Sequence, residues 1–224
     1  MLAHRQSQTG APTPKKGPKP RPVPAASLLP VEVPYESARE RKAELRVTLL
    51  AARTRRDESQ RLQLGRALAS AAGALPLPGT VAGFVGVGTE PPTLPLLDAL
   101  RRQGVRVLLP VVRADRVLDW GAGGAELVSG PLGLLEPAGP YLGPGAVREA
   151  GLVLVPALAV DHAGRRLGRG GGYYDRALAT LSRTVPVIAV VFDDELIDDV
   201  PVEPHDRAVD AALTPSGLVR FATR

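Results

Sequence analysis

The sequence predicts an α/β fold in which a mainly parallel sheet carries helices on both faces. Beyond Pro76, short apolar runs of strand length alternate with stretches of helix-forming residues. A strand, helix, strand order implies right-handed crossovers between parallel strands. A chain of 224 residues that is 44% hydrophobic can also bury one sizeable core. We therefore expect one α/β domain over residues 36–224.

Residues 1–35 are predicted to form a disordered or polyproline-like tail, because they are rich in proline and poor in large apolar side chains. Residues 1–30 hold five basic residues and no acidic one, and the whole chain has a net charge of +5, so the remainder is formally neutral. A short basic tail could touch nucleic acid. We read it as a solubilising extension and expect no nucleic-acid partner.

The chain contains no cysteine, which excludes disulfides, thiolate zinc sites and cysteine nucleophiles. This composition fits a reducing compartment, and we expect a cytoplasmic protein. No apolar run reaches the roughly 18 residues of a membrane span. We therefore expect a soluble, unprocessed monomer that does not enter membranes.

The domain begins with one or two helices in the proline-free residues 36–73. Leu45 and Leu49 form an apolar stripe there, and Lys42, Arg46 and Arg53 lie on the same side at helical spacing. Either the stems of the three cations cover the edge of the core while their heads reach water, or they form a wall that faces an anionic ligand. Lys42 is the only lysine after residue 19, which slightly favours the second interpretation.

Four apolar runs are predicted to be buried strands: "VAGFVGV" (81–87), "VRVLLPVV" (105–112), "LVLVPALAV" (152–160) and "PVIAVVF" (186–192). The segments "TLPLLDALRRQ" (93–103) and "YYDRALATLSR" (173–183) are predicted helices between them. Thr93 is predicted to be the N-cap of the first. Shorter strands are expected around "RVLDW" and "AELVSG".

The segment "GRGGGYYD" (168–175) is the strongest functional signal. It follows the predicted strand that ends at Val160 and precedes the predicted helix from Tyr173, at the sheet edge where ligands gather. Glycines let backbone N–H groups approach an anion, and a helix N-terminus adds partial positive charge, so phosphate is the expected ligand. Asp175 could hold a magnesium ion on that phosphate. A flexible loop and a helix-terminal aspartate are the alternatives.

This loop, within "DHAGRRLGRGGGYYDRAL", closely resembles the nucleotide loop of 5-formyltetrahydrofolate cyclo-ligases, also called methenyltetrahydrofolate synthetases. Three further segments resemble that family in the right order: "KAELR" (42–46), "GTEPPTLPLLDAL" (88–100), and "GLLEP" (133–137) with "EPHDRAVDAALTP" (203–215). The resemblance covers roughly residues 36–215.

The resemblance implies a core similar to the ribose-phosphate isomerase and CoA-transferase sandwich. It also implies an enzyme that uses ATP and Mg²⁺ to convert 5-formyltetrahydrofolate into 5,10-methenyltetrahydrofolate, releasing ADP and phosphate. Carried over by motif, the ATP-binding residues are Lys42, Ala43, Glu44, Leu45, Arg46, Arg166, Leu167, Gly168, Arg169, Gly170, Gly171, Gly172, Tyr173 and Tyr174. The folate-binding residues are Val85, Glu90, Arg169, Gly170, Gly171, Gly172 and Tyr173. Asp175 and Asp210 would hold magnesium, and Lys42 with Arg46 would neutralise charge during catalysis.

A second hypothesis is a phosphate- or nucleotide-binding relative without this activity, similar to a sugar-phosphate isomerase or associated with RNA, because fold alone does not fix function. The implied reaction needs no histidine base, and His162 and His205 are predicted turn residues. Glu90 is expected to hydrogen-bond the donor edge of the pterin. Candidates for stacking on the folate rings are Trp120, Tyr141, Tyr173 and Tyr174.

Overall fold

The computed structural model describes residues 35–203 and 206–222. The predicted tail, apart from Tyr35, lies outside the described residues, and so does His205. None of the helices in the described ranges is long and apolar enough to cross a membrane.

Both helices predicted between strands are present, at Leu94–Arg102 and Tyr173–Ala179, whereas several other strands follow one another without an intervening α-helix. The α-helices are α1 (Tyr35–Arg53), α2 (Glu58–Ala71), α3 (Leu94–Arg102) and α4 (Tyr173–Ala179). Short 3₁₀ turns cover Ala72–Ala74, Pro131–Gly133, Pro144–Glu149 and Asp193–Glu195. The strands are β1 (Thr80–Ala82), β2 (Arg106–Val112), β3 (Leu118–Ala122), β4 (Leu127–Ser129), β5 (Leu135–Pro137), β6 (Leu152–Pro156), β7 (Ala159–Asp161), β8 (Arg166–Leu167), β9 (Val187–Val190), β10 (Leu196–Ile197), β11 (Ala211–Thr214) and β12 (Gly217–Arg220).

The main sheet has seven strands in the order β12-β11-β9-β6-β1-β2-β3. The five central strands are parallel, and the edge strands β12 and β3 are antiparallel to their neighbours. All the carboxyl ends of the parallel strands therefore lie at one edge of the sheet. The prediction of a mainly parallel sheet is confirmed.

Alternate residues of the central strands enter two separate cores. On β6, Leu152 and Leu154 pack in one core with residues of α2 and α3. Val153 and Val155 pack in the other, which includes Leu178 of α4. Since successive side chains of a strand point to opposite faces, helices cover both faces of the sheet.

A second sheet of three strands, in the order β10-β7-β8, carries the first helix. Leu49 of α1 packs with Leu158 and Leu167 in a third apolar cluster. This packing lays α1 beside the chain that leads from β8 into the glycine segment, so its cations come close to residues 168–172.

Three predicted elements are shorter than expected. The run 81–87 is a strand only over Thr80–Ala82, and the run 152–160 divides into β6 and β7 around Pro156, which lacks the N–H needed to continue the ladder. The helix predicted over 173–183 ends at Ala179. In the first two cases the chain leaves the main sheet at its carboxyl edge and forms loops there.

Candidate active site

A cavity of about 340 Å³ opens at the carboxyl edge of the central strands. The ends of β2 and β6 reach it at Val112 and Pro156, and Val85 reaches it just beyond β1. Residues 168–175 line it as well, so the glycine segment stands where the sequence predicted a ligand site.

One side of the cavity is apolar. Its lining includes Phe84, Val85, Pro110, Val112, Leu118, Leu132, Leu134, Leu135, Pro156 and Leu158. Leu132, Leu134 and Leu135 belong to the hairpin of β4 and β5, which thus forms part of the cavity wall. Such a wall suits a flat, largely apolar ring system better than a small polar molecule.

The glycine segment presents a row of unused backbone donors. None of the described residues accepts a hydrogen bond from the N–H groups of residues 168–172. Gly170 and Gly172 have φ values of +97° and +67°, in the left-handed region that favours glycine. A Cβ built on Gly168 would meet nothing within 4 Å, which shows open space in front of this residue. This row of N–H groups has the form of an anion-binding nest.

The three cations of α1 share one face, but each has a different environment. Lys42 is 3% exposed, and its Nζ contacts Glu203 Oε2 at 2.7 Å and Asp206 Oδ2 at 2.6 Å. Arg46 Nε donates to the Gly168 carbonyl at 2.9 Å. The interpretation in which all three heads reach water is therefore wrong for Lys42, whose head is buried between carboxylates.

Arg53 lies deepest of the three and lines the cavity at 1% exposure. Its Nε and Nη2 bind the two oxygens of Glu195 at 2.6 and 2.8 Å, and Nη2 also donates to the Ala157 carbonyl at 2.6 Å. Glu195 in turn accepts from the Phe192 N–H at 2.9 Å.

Polar groups without partners border the glycine segment. Arg166 is buried and donates from Nη2 to Asp175, while its Nε has no hydrogen-bond partner among the described residues. The buried Tyr174 hydroxyl has none there either. Burial and the nearby Glu90 carboxylate raise the pKa of Tyr174 far above its usual range, whereas Arg166 opposes the shift. The Tyr174 hydroxyl therefore stays neutral, and the residue lines the cavity.

Glu90 is held at the cavity by the loop that follows β1. One carboxylate oxygen accepts from the Val87 N–H at 3.1 Å, and the other lies 3.1 Å from Arg169 Nε. Thr93 stands at the N-cap of α3 as predicted, but its hydroxyl does not cap the helix. Instead it accepts from the Gly86 N–H at 2.9 Å and donates to the Phe84 carbonyl at 2.5 Å, which folds the loop back on itself.

The structure brings some predicted residues together and separates others. Val85, Glu90, Arg166, Asp175 and residues 168–174 all line one cavity, with Arg46 against its glycine segment. Leu167 is buried behind that segment, while Ala43 and Glu44 on α1 are exposed to solvent and Leu45 packs on the small sheet.

Asp210 lies away from Asp175. Its Oδ2 accepts from the Val187 N–H at 2.7 Å, at the start of β9 and therefore at the amino edge of the sheet. Asp175 lines the cavity at the carboxyl edge. The two carboxylates stand at opposite edges, so the structure does not bring them together as ligands of one ion.

The aromatic residues predicted to stack on a ligand do not all lie at the cavity. Tyr173 and Tyr174 line the cavity, whereas Trp120 is fully buried in the core and Tyr141 is 56% exposed outside the cavity. His162 is exposed in the turn after β7, as predicted. In that same turn the carboxylate of Asp161 accepts from the Ala163 and Arg165 N–H groups at 2.9 Å each.

Sequence reasoning missed the acidic partners of the α1 cations. Glu195, Glu203 and Asp206 come from segments more than 140 residues away along the chain. The only signal for Glu203 and Asp206 was that "EPHD" (203–206) lies inside a segment of family resemblance, and Glu195 had no such signal. Leu134 and Leu135 were also missed as cavity residues, although "GLLEP" (133–137) was part of the resemblance, and so was Leu132 just before it.

A resident metal ion would need several oxygen ligands in one place. Within the described ranges, no group of three or more acidic or histidine side chains comes together. Mg²⁺ is commonly held by one or two carboxylates plus phosphate oxygens and water. Asp175, beside the row of free N–H groups, fits an ion that arrives with a phosphate-bearing ligand.

The chain is similar to known proteins of one family. Residues 38–215 match the 5-formyltetrahydrofolate cyclo-ligase family. A 5-formyltetrahydrofolate cyclo-ligase of Mycolicibacterium smegmatis is 46% identical over 186 residues, which cover 80% of this chain and 96% of the relative.

Two solved structures are similar to this one. The NMR structure of 5,10-methenyltetrahydrofolate synthetase from Aquifex aeolicus has a TM-score of 0.69 and 26% identity, covering 82% of this chain and 94% of its own. A 5,10-methenyltetrahydrofolate synthetase from Mycoplasma pneumoniae shares the fold, with a TM-score of 0.61 and 21% identity over 77% of this chain and 97% of its own.

Proposed function

The chain belongs to the 5-formyltetrahydrofolate cyclo-ligase family, and from that premise we propose the reaction that it catalyses. Membership makes it an enzyme, a ligase of folate metabolism. The proposed reaction is the ATP- and Mg²⁺-dependent conversion of 5-formyltetrahydrofolate into 5,10-methenyltetrahydrofolate, with release of ADP and phosphate.

One observation carries the proposal. The free N–H groups of residues 168–172 and an apolar wall border the same cavity. The first feature suits a phosphate, and the second suits the rings of a folate. A site for a sugar phosphate alone would have no use for so extensive an apolar lining, and we therefore prefer the cyclo-ligase to the isomerase-like alternative.

The chemistry explains why such a site is needed. A formamide oxygen is a poor nucleophile and its carbon a poor electrophile, so the oxygen must first be activated. Transfer of the γ-phosphoryl group to that oxygen gives an iminium phosphate, which the 10-nitrogen attacks. That nitrogen loses its proton, and phosphate leaves with the electron pair of the C–O bond. The protein has mainly to position the reactants and to stabilise negative charge.

Residues 166–174 and the α1 cations are assigned to the nucleotide. The N–H groups of residues 168–172 would bind phosphate oxygens directly. Arg46 fixes the Gly168 carbonyl and so keeps the segment open toward the ligand. Lys42 is held by Glu203 and Asp206 at the adjoining end of α1 and would exchange a carboxylate for a phosphate when the nucleotide binds. Ala43, Glu44, Leu45 and Leu167 support this surface as part of α1 and β8.

Asp175 is assigned to magnesium, which when bound neutralises phosphate oxygens. The carboxylate is held toward the cavity by Arg166. Asp210 was expected to join it, but its position at the amino edge supports a structural role, in which it closes the start of β9. We therefore do not assign Asp210 to the same ion.

The folate is assigned to the apolar side of the cavity. Val85 and the hairpin leucines would enclose its rings, and Tyr173, which also lines the cavity, would pack on them. The Glu90 carboxylate would accept hydrogen bonds from the donor edge of the pterin once Arg169, which is half exposed, moves aside. The cytoplasmic location, the monomeric state and the role of the tail stay predictions.

The test is a direct assay of the purified protein. The product absorbs strongly in the near ultraviolet, so absorbance should rise when the protein meets 5-formyltetrahydrofolate, ATP and Mg²⁺. No rise should occur with ADP in place of ATP or with a chelator present. The proposal fails if fresh substrate with ATP and Mg²⁺ gives no rise while the protein is folded by circular dichroism.

A further inference from the structure

We propose that Arg53 is a further catalytic residue of this site, which binds the phosphoryl group during its transfer, and that Glu195 is its positioning residue. The inference rests on the proposed cyclo-ligase reaction. Neither residue lies in the segments that carry the family resemblance.

Arg53 lies at the floor of the cavity. It ends α1 and is 1% exposed, yet it lines the cavity together with Ala157. It lies two helical turns, about 10 Å, beyond Arg46 on the same face of α1. Arg46 contacts the glycine segment, so Arg53 continues the line of cations from that segment into the cavity floor.

The guanidinium of Arg53 keeps an unused donor. Its Nε and Nη2 make all of its hydrogen bonds, to Glu195 and to the Ala157 carbonyl, and Nη1 makes none to any described residue. Nη1 is not among the buried atoms that lack a partner, so it keeps access to open space. Because Arg53 lines the cavity, a ligand oxygen there could accept from this nitrogen. Arg166 also lines the cavity with a buried Nε that lacks a partner among the described residues. Two guanidinium groups thus line one cavity.

A phosphoryl oxygen is the ligand atom that best fits these donors. The pterin edge is assigned to Glu90 and the folate rings to the apolar side of the cavity, so neither part of the folate needs a cationic partner there. The phosphoryl oxygens carry the highest negative charge in the reaction. In the transfer step the formyl oxygen forms a bond to the γ-phosphorus while the bond from that phosphorus to the bridging oxygen breaks, and ADP leaves with the electron pair. Oxygens of the moving group are the natural partners of Arg53 and Arg166.

Glu195 holds Arg53 in this orientation. Its two carboxylate oxygens accept hydrogen bonds from Nε and Nη2 of Arg53. Glu195 is itself 2% exposed, and its carboxylate also accepts from the Phe192 N–H. This pairing leaves Nη1 as the one nitrogen that can turn to the ligand. The Glu195 carboxylate also neutralises the charge of Arg53. Arg53 therefore adds little long-range attraction for ATP. It acts on a phosphoryl oxygen only within hydrogen-bonding distance, so the loss of Arg53 should lower kcat more than it raises KM.

The test uses the double variant Arg53→Met/Glu195→Gln in the full chain. Removing Arg53 alone would leave a buried unpaired carboxylate and could unfold the protein, whereas removing both charges is commonly tolerated. The glutamine introduced by Glu195→Gln is neutral, and its amide oxygen can still accept from the Phe192 N–H. The matched control is Arg56→Met. Arg56 stacks on the same Phe192 ring, 4.1 Å from its centroid, but does not line the cavity.

We expect kcat of the double variant to fall about 10²- to 10³-fold, with KM for ATP and for the folate changed little. Its affinity for ADP with aluminium fluoride, a planar mimic of the moving phosphoryl group, should fall by a similar factor, while its affinity for ADP alone should not. Arg56→Met should keep wild-type kcat.

Three results would overturn the inference. These are a double variant that matches Arg56→Met in kcat, a rise in KM at unchanged kcat, and equal losses of affinity for ADP with and without aluminium fluoride. An inactive wild-type protein would instead refute the proposed reaction, so the two failures are distinguishable. Melting temperatures of all variants show whether any loss follows unfolding.

Discussion

Replacing Gly168 with valine tests whether the glycine segment binds phosphate. Gly168 lines the cavity and has an ordinary φ, and a Cβ at this position meets nothing within 4 Å. The valine side chain would therefore enter space that belongs to the ligand, without a clash inside the protein. Gly172 is a poorer choice, because its φ of +67° would strain any other residue and its Cβ would lie 3.0 Å from Arg176 Nη1.

The size of the effect follows from the donors that are lost. The N–H groups of residues 168–172 have no acceptor among the described residues, and a hydrogen bond to a charged group is worth about 1.5–3 kcal/mol. Displacing one such bond should weaken Mg-ATP binding roughly 10- to 100-fold, since each 1.4 kcal/mol is about tenfold. Folate affinity should change less, because the folate is assigned to the apolar wall.

Isothermal titration calorimetry with Mg-ATP and with 5-formyltetrahydrofolate measures both affinities. Gly79→Val is the matched control, since a Cβ on Gly79 also meets nothing within 4 Å and this residue lies outside the cavity, before β1. Wild-type affinity of Gly168→Val for Mg-ATP would refute the reasoning, because no row of backbone donors could bind phosphate behind that side chain.

Three further predictions concern the same cavity. Asp175→Asn should lower turnover about tenfold or more, since the charge stabilisation that a metal ion supplies is worth several kcal/mol. A raised Mg²⁺ concentration should restore part of the lost turnover, and no response to Mg²⁺ would argue against a metal role. Glu90→Gln should raise KM for the folate roughly tenfold by removing charge-assisted hydrogen bonds, and an unchanged folate KM would remove Glu90 from the pterin site. The raised pKa of Tyr174 means that its protonated form stabilises the fold fully below about pH 10, the ordinary tyrosine value, and that this contribution is lost as pH rises further. An ultraviolet titration should accordingly show one late-ionising tyrosine that Tyr174→Phe abolishes, and equal ionisation in both proteins would contradict it.

Much of the fold could be predicted because its signals are local. The run at 105–112 became β2 almost residue for residue, and the glycine segment stands between a strand and a helix as its flanking patterns indicated. Element ends were less predictable. The run 152–160 reads as one strand, yet Pro156 ends its pairing in the main sheet and the chain continues in the small sheet. Apolarity is the same on both sides of that break, so the pattern alone does not show it.

For the candidate site too, some features could be predicted from the sequence and others could not. The sequence by itself determined that residues 168–175 lie at the carboxyl edge of the sheet and that Lys42, Arg46 and Arg53 share a helix face, because helical spacing and the strand-to-helix order fix those relations. Only the tertiary structure decided what each cation does. Lys42 meets Glu203 and Asp206, 161 and 164 residues away, and Arg53 meets Glu195, 142 residues away. A buried charge must be paired with an opposite charge, and here the tertiary structure brings that partner from a distant part of the chain. The residues next to each cation in the sequence therefore do not identify its partner. For the same reason the sequence placed Asp175 and Asp210 together by motif, whereas the direction of β9 and β11 sets Asp210 at the opposite edge of the sheet.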